Sequence, residues 1–159
     1  MSTIAPSPSI PSTPGLADII GYVETKNDPL GYRFEPALWQ SLATPSSAAQ
    51  DILATIQHVH NCSLSSAKAI FASSFGEQQI LAENLYAPQV GLKVTVFEFC
   101  MDQVLQAAMF DAFIKWKNLV YAPQDLVSQS LREHFALIYN GSLAYADLIQ
   151  QALDHYGIR

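Results

Sequence analysis

Apolar residues recur along nearly the whole chain at a spacing close to 3.6, the period of helices with one buried face. Leu16, Ile19, Ile20 and Val23 fall at i, i+3, i+4 and i+7 and mark a first helix. Asn27, Asp28, Pro29 and Gly31 break it. Pro36 suits a first helical position and predicts a short helix carrying Leu38, Trp39 and Leu42. Ser46 or Ser47 caps the next, whose apolar face holds Ile52, Ile56 and Val59, and Ser63 or Ser65 opens another through Ala67, Ile70 and Phe71. Gly76 is expected at the start of a helix carrying Ile80, Leu81 and Leu85, ended by Pro88 and Gly91.

Thr95 caps a short apolar helix that stops near Met101. Leu105, Met109, Phe113 and Trp116 form the buried stripe of a central helix. Asp125 caps the following one, with Val127, Leu131, Phe135 and Ile138 facing inward, and Asn140-Gly141 stops it. Ser142 starts a last helix carrying Leu148, Ile149, Ala152 and Leu153. Only Val90 to Phe99 has β character, and no internal repeat is present. The pattern predicts an all-α globule of about eight or nine helices.

The 159 residues suffice for one domain with a real core. Half are apolar and 14% are charged, which excludes disorder for the body of the chain. Residues 1–14 differ: prolines among serines and threonines predict a flexible arm, a means of joining a larger assembly, with the folded domain over 15–159. The net charge of −6 and the lack of a Lys/Arg cluster argue against nucleic acid as a partner. No stretch reaches the ~18 apolar residues of a membrane span, and the N-terminus lacks a signal-peptide pattern. Cys62 and Cys100 read as buried reduced thiols rather than a disulfide framework. His58 and His60 are two apart on a helix and point to different faces, while His134 and His155 are distant, so no metal or cofactor is expected. Phe97, Phe99, Phe110, Phe113 and Trp116 read as core; Tyr32, Trp39 and Tyr86 are expected to be partly exposed, where sugar rings stack.

Three short segments carry the candidate chemistry. Glu24 ends the first helix beside Val23, and a half-desolvated carboxyl there suits a general acid. Ser73-Ser74-Phe75-Gly76-Glu77-Gln78-Gln79-Ile80 lets another chain approach its backbone closely. Tyr139-Asn140-Gly141 closes a late helix, and a helix stop accounts for the last two residues but not for Tyr139.

In this order, Glu24 with Thr25, then Ser74, Phe75, Gly76, Gln79 and Ile80, then Tyr139, Asn140 and Gly141, the motifs resemble the lysozyme-like superfamily. The likeness is to phage and bacterial N-acetylmuramidase domains and lytic transglycosylases. Arg33-Phe34-Glu35-Pro36 is similar to the segment that follows the catalytic helix of the muramidases, and Asp111-Ala112-Phe113-Ile114 to the helix before the last motif. Departures are Glu77 and Gln78 where a hydrophobic pair is common, Pro36-Ala37 for Arg-His, and the acidic charge.

The resemblance implies cleavage of the β-1,4 bond between N-acetylmuramic acid and N-acetylglucosamine in peptidoglycan. Glu24 would protonate the leaving oxygen, and water or the sugar's 6-hydroxyl would trap the product. Glu35 is the foremost second carboxylate, with Asp28 behind it. Thr25, Ser74, Phe75, Gln79, Tyr139 and Asn140 would form the substrate-binding set, with Gln79, Tyr139 and Asn140 lining the groove. An endolysin or a virion-associated enzyme, made in the cytoplasm and acting at the wall after release or within a larger machine, fits this reading. The alternative is an inactive lysozyme-like module that binds glycan or protein.

Overall fold

The computed structural model describes residues 14–159; the arm expected at 1–14 lies, apart from Pro14, outside them. Among the described residues nine α-helices surround a small three-stranded antiparallel sheet. In order they are α1 (Leu16–Thr25), β1 (Tyr32–Phe34), α2 (Pro36–Ser41), α3 (Ser47–His60), α4 (Leu64–Phe71), β2 (Ser73–Phe75), β3 (Ile80–Leu81), α5 (Ala82–Leu85), α6 (Val96–Met101), α7 (Gln103–Trp116), a 3-10 turn at Asp125–Val127, α8 (Gln129–Tyr139) and α9 (Ala144–His155).

The predicted caps account for several helix starts. Ser46, Ser63 and Thr95 each accept a hydrogen bond from the backbone N–H three residues on. Thr95 and Glu98 complete a reciprocal capping box. α1 opens differently: the Asp18 carboxylate reaches back to the Gly15 N–H at 2.7 Å. Its Ile19 and Ile20 are completely buried. α1 packs on α9 and α9 on α8, while α3 packs on α4, so one core runs through the molecule.

The sheet corrects the sequence reading, which placed β character at Val90 to Phe99. That stretch contains no strand; Thr95 there caps α6. The strands are instead β1, β2 and β3, too short for a two-residue period to show. β1 pairs with β2 through Tyr32–Phe75, Arg33–Ser74 and Phe34–Ser73, and β2 pairs with β3 through Ser74–Leu81 and Phe75–Ile80. The helix expected from Gly76 is therefore a hairpin turn, with only Ala82–Leu85 helical after it. The turn needs positive φ at Gly76 (+79°) and at Gln79 (+50°), which a helix does not supply.

Gly76 is also held at close quarters. A Cβ there would lie 2.6 Å from Gln106 Oε1 and 2.9 Å from Phe99 Cε1. Gly76→Ala is expected to destabilise the fold by about 2–4 kcal/mol, read from urea unfolding, because strain at φ and overpacking add. A loss below about 0.5 kcal/mol would show that the turn relaxes.

Other placements also differ. α7 buries Gln106, Phe110, Phe113 and Ile114, so its inner stripe is turned relative to the expected one and Trp116 is exposed. Val127 and Ile138 are exposed, and α8 faces inward with Phe135 and Ala136. Leu148 is exposed on α9, while Ile149, Ala152 and Leu153 are buried. Phe97 is 72% exposed, not core, and Tyr86 is buried, its hydroxyl donating to the Val94 carbonyl and meeting His60 Nε2 at 2.8 Å. Cys62 and Cys100 are free and only half-buried. No helix among the described residues is long and apolar enough to cross a membrane.

Candidate functional site

α1 ends abruptly after Glu24-Thr25 because Lys26 and Asn27 both take left-handed backbone conformations. Thr25 then ties that end to the hairpin. Its hydroxyl lies 3.0 Å from the Glu77 carbonyl and accepts the Asp28 N–H at 3.0 Å. Gly31 closes the same junction by accepting the Gly76 N–H at 2.9 Å, and a Cβ on Gly31 would fall 2.6 Å from Thr25 Cγ2. The end of α1 and the Ser-Phe-Gly segment, half a hundred residues apart, thus form one unit.

Glu24 stands at the meeting of two hollows. One is a cleft of about 390 Å³ that also includes Arg33, Glu35, Gln79, Glu83 and Asn140. The other, of about 410 Å³, includes Arg33, Asn140, Ser142 and Tyr145. Glu24, Arg33 and Asn140 line both, so the two hollows adjoin at the carboxyl.

The Glu24 side chain is 6% exposed. Tyr145 O–H donates to its Oε1 at 2.7 Å, and Arg33 Nη1 stands 3.5 Å from Oε2. Burial pushes the Glu24 carboxyl above its ordinary value, the Tyr145 hydrogen bond and Arg33 pull the other way, and Glu35 adds to the rise. The outcome is an acid that keeps its proton to higher pH than a solvated glutamate. Burial likewise pushes the Tyr145 phenol far up, so it acts as a donor and not as a base.

The residues singled out from sequence take different stations. Glu24, Glu35, Gln79, Tyr139 and Asn140 border the cleft. Gln79 has its amide committed inward, with Oε1 accepting from Ser74 Oγ at 3.0 Å and Nε2 donating to the Gly76 carbonyl at 3.0 Å. Tyr139 donates to the Gln78 carbonyl at 2.6 Å and stacks between Phe135 and Tyr145. Ser74 and Phe75 are buried in β2, and neither they nor Thr25 line the cleft; Ser74 and Phe75 hold the hairpin together and against β1, while Thr25 ties it to α1. Asp28 is spent on the Leu30 N–H at 2.9 Å and is likewise not part of the cleft wall.

Sequence reasoning passed over Tyr145, which lies 121 residues from Glu24 and carries no local signal. It also passed over Glu83 and Asn84, the wall contributed by α5. Arg33 stands out in the sequence only within the Arg33-Phe34-Glu35-Pro36 segment. No group of three or more His, Cys, Asp or Glu side chains among the described residues is placed to hold a metal ion.

No family model matches the chain, and no solved structure matches it. Its sequence is 35% identical over 146 residues to the endolysin of Enterobacteria phage PRD1, a match covering 91% of this chain and 97% of the relative. The chain belongs to that endolysin family. The matched length is nearly the whole of both proteins, so the endolysin likeness takes in the folded domain and not one motif. In this endolysin-family chain, α1, the hairpin, α8 and α9 each bring at least one side chain to Glu24 or to the groove beside it.

Proposed function

We propose that the chain degrades peptidoglycan as a muramidase or lytic transglycosylase, cutting the β-1,4 bond between N-acetylmuramic acid and N-acetylglucosamine with Glu24 as general acid. The observation that carries this reading is a desolvated, proton-retaining carboxyl at which two hollows meet. A glycan is a polymer, and its scissile bond needs sugar on both sides of the acid. The name of the phage relative, endolysin, agrees with an enzyme that is made inside the host and then attacks its wall.

In the proposed reaction Glu24 gives its proton to the glycosidic oxygen as the bond breaks, leaving an oxocarbenium-like sugar. Tyr145 holds Oε1, so the proton is delivered from Oε2, which faces Arg33. Asn140, which lines both hollows, would bind a sugar acetamido group. Water at the oxocarbenium carbon gives a reducing end, and the 6-hydroxyl gives an anhydro end.

Glycan strands stripped of their stem peptides test the bond assignment. Cleavage into short oligosaccharides by wild type is expected; strands left at full length by a folded enzyme that still dissolves intact walls would assign the activity to the peptide.

The pH profile follows from the acid's environment. Activity is expected to fall as pH rises through the elevated value of Glu24, since only the protonated form donates. Tyr145→Phe removes a hydrogen bond that favours the carboxylate, so this alkaline limb moves to higher pH. A limb that moves down, or stays put, would contradict the assignment of Glu24 as the titrating acid.

A further inference from the structure

Arg33 sits between two carboxylates and treats them unequally. Its Nε donates to Glu35 Oε1 at 2.6 Å, a short charge-assisted bond, while Nη1 stands 3.5 Å from Glu24 Oε2, too far for a strong one. The reason is local. Arg33 and Glu35 are two residues apart on an extended segment, so their side chains leave on the same side. Glu35 is itself fixed: its N–H bonds the Ala72 carbonyl at 2.8 Å, and its carbonyl accepts the Trp39 N–H at 3.0 Å as α2 begins. Its side chain is 33% exposed against 6% for Glu24, so pairing with Arg33 there costs less desolvation.

We propose that Glu35 is a positioning residue that, by gripping the Arg33 guanidinium, keeps Glu24 from being locked into an ion pair. This rests on Glu24 being the acid, and it replaces the role of second catalytic carboxylate for Glu35. Freed from Glu35, the guanidinium would swing to the buried carboxyl and hold it as a carboxylate, which cannot donate a proton. The groups that face Glu24 are Arg33 from β1, Glu35 at the start of α2, Tyr139 from α8 and Tyr145 from α9. Both phenols are pushed up by burial and stay neutral, so Arg33 and Glu35 supply the charges. Their influences on Glu24 have opposite sign, Arg33 lowering and Glu35 raising. Conversely, burial works against the Arg33 charge, and the hydrogen bond and field of Glu35, together with the fields of Glu24 and Tyr145, outweigh it.

The experiment is a pH profile of lysis on isolated sacculi for wild type, Glu35→Gln, Arg33→Gln and the double variant. The Glu24 carboxyl is titrated in parallel by carbon NMR. Glu35→Gln is expected to move the alkaline limb and the Glu24 titration to lower pH, with activity on that limb down about three- to tenfold. Arg33→Gln is expected to move both upward, and the double variant to recover at least half of what Glu35→Gln lost. A loss of about 10²-fold or more at every pH in Glu35→Gln, unrelieved in the double variant and with the Glu24 titration unmoved, would overturn the proposal and make Glu35 a reacting group. The NMR titration separates the failures. If no variant and no wild type cleaves glycan, the glycosidase reading falls, yet opposite shifts of Glu24 in the two single variants still establish the clamp. Absent shifts refute it.

Discussion

Glu24→Gln is expected to lower the rate of glycan cleavage by about 10²–10⁴-fold while leaving the protein folded. Glutamine keeps the shape and the capacity to accept the Tyr145 hydrogen bond at Oε1, but it has no proton to give. The second half of the prediction concerns stability and has a definite sign. Burial makes the folded state prefer protonated Glu24, despite Arg33 and Tyr145. Folding therefore gains from that preference at acid pH. The gain is lost as pH rises from the ordinary glutamate range through the raised value of the folded state. Above that window wild type carries a disfavoured buried charge that the glutamine variant lacks. Its melting temperature at neutral pH is accordingly expected to equal or exceed that of wild type, with the gap closing on acidification. A variant that melts well below wild type at pH 7 would mean that Glu24 is held for its ion pair and not as an acid.

Gln106→Leu is expected to cost about 3–4 kcal/mol, a fall in melting temperature of about 6–16 °C for a chain of this size. Gln106 is 1% exposed and serves three stretches of main chain at once. Its Oε1 accepts the Glu77 N–H at 2.9 Å, and its Nε2 donates to the carbonyls of Cys100 at 2.9 Å and Pro29 at 3.2 Å. Leucine preserves the volume, so the loss measures three interior groups left without partners rather than a cavity. The damage should reach the groove as well. Glu77 and Pro29 belong to the two segments that Thr25 joins, and Gln78, which holds Tyr139, follows directly in the turn. Lysis at a temperature where the variant is still folded is expected to drop about tenfold, through loosened placement of Tyr139 against Tyr145. A change under 1 kcal/mol would show that water takes over these contacts.

The helical character of the fold was legible because helix signals are local. The serine and threonine caps and the i, i+3, i+4 face of α1 lie within a few residues of what they control. The sheet was not legible for the opposite reason. β2 and β3 contribute five residues, and their pairing depends on a turn in which Gln79 takes a positive φ that no simple rule assigns to glutamine. The rotation of α7 was hidden because its most informative buried residue is Gln106, a polar side chain whose partners come from three other segments.

The site divides along the same line. Glu24 and Tyr139-Asn140 were readable as helix ends that carry more than an ending needs. Ser74 and Phe75 fell into the same motif, yet their chemistry is the mutual anchoring of the hairpin: Ser74 satisfies Gln79, and Phe75 packs on Tyr32 across the β1–β2 pair. Tyr145 could not be found from sequence, since its value lies in one 2.7 Å contact made across the α1–α9 packing. The role argued for Glu35 was equally out of reach. From sequence two carboxylates read as a pair of catalytic acids, and the positioning role proposed for Glu35 is argued from Arg33 contacts that only the structure gives.

The central claim is that Glu24 drives cleavage of the glycan itself, and the most direct test is mass spectrometry of fragments released from purified peptidoglycan by wild type and Glu24→Gln. The account predicts soluble fragments ending in N-acetylmuramic acid, reducing or anhydro, from wild type and almost none from the folded variant. Fragments cut only within the peptide stems, or the same glycan fragments released equally fast by both proteins, would contradict it.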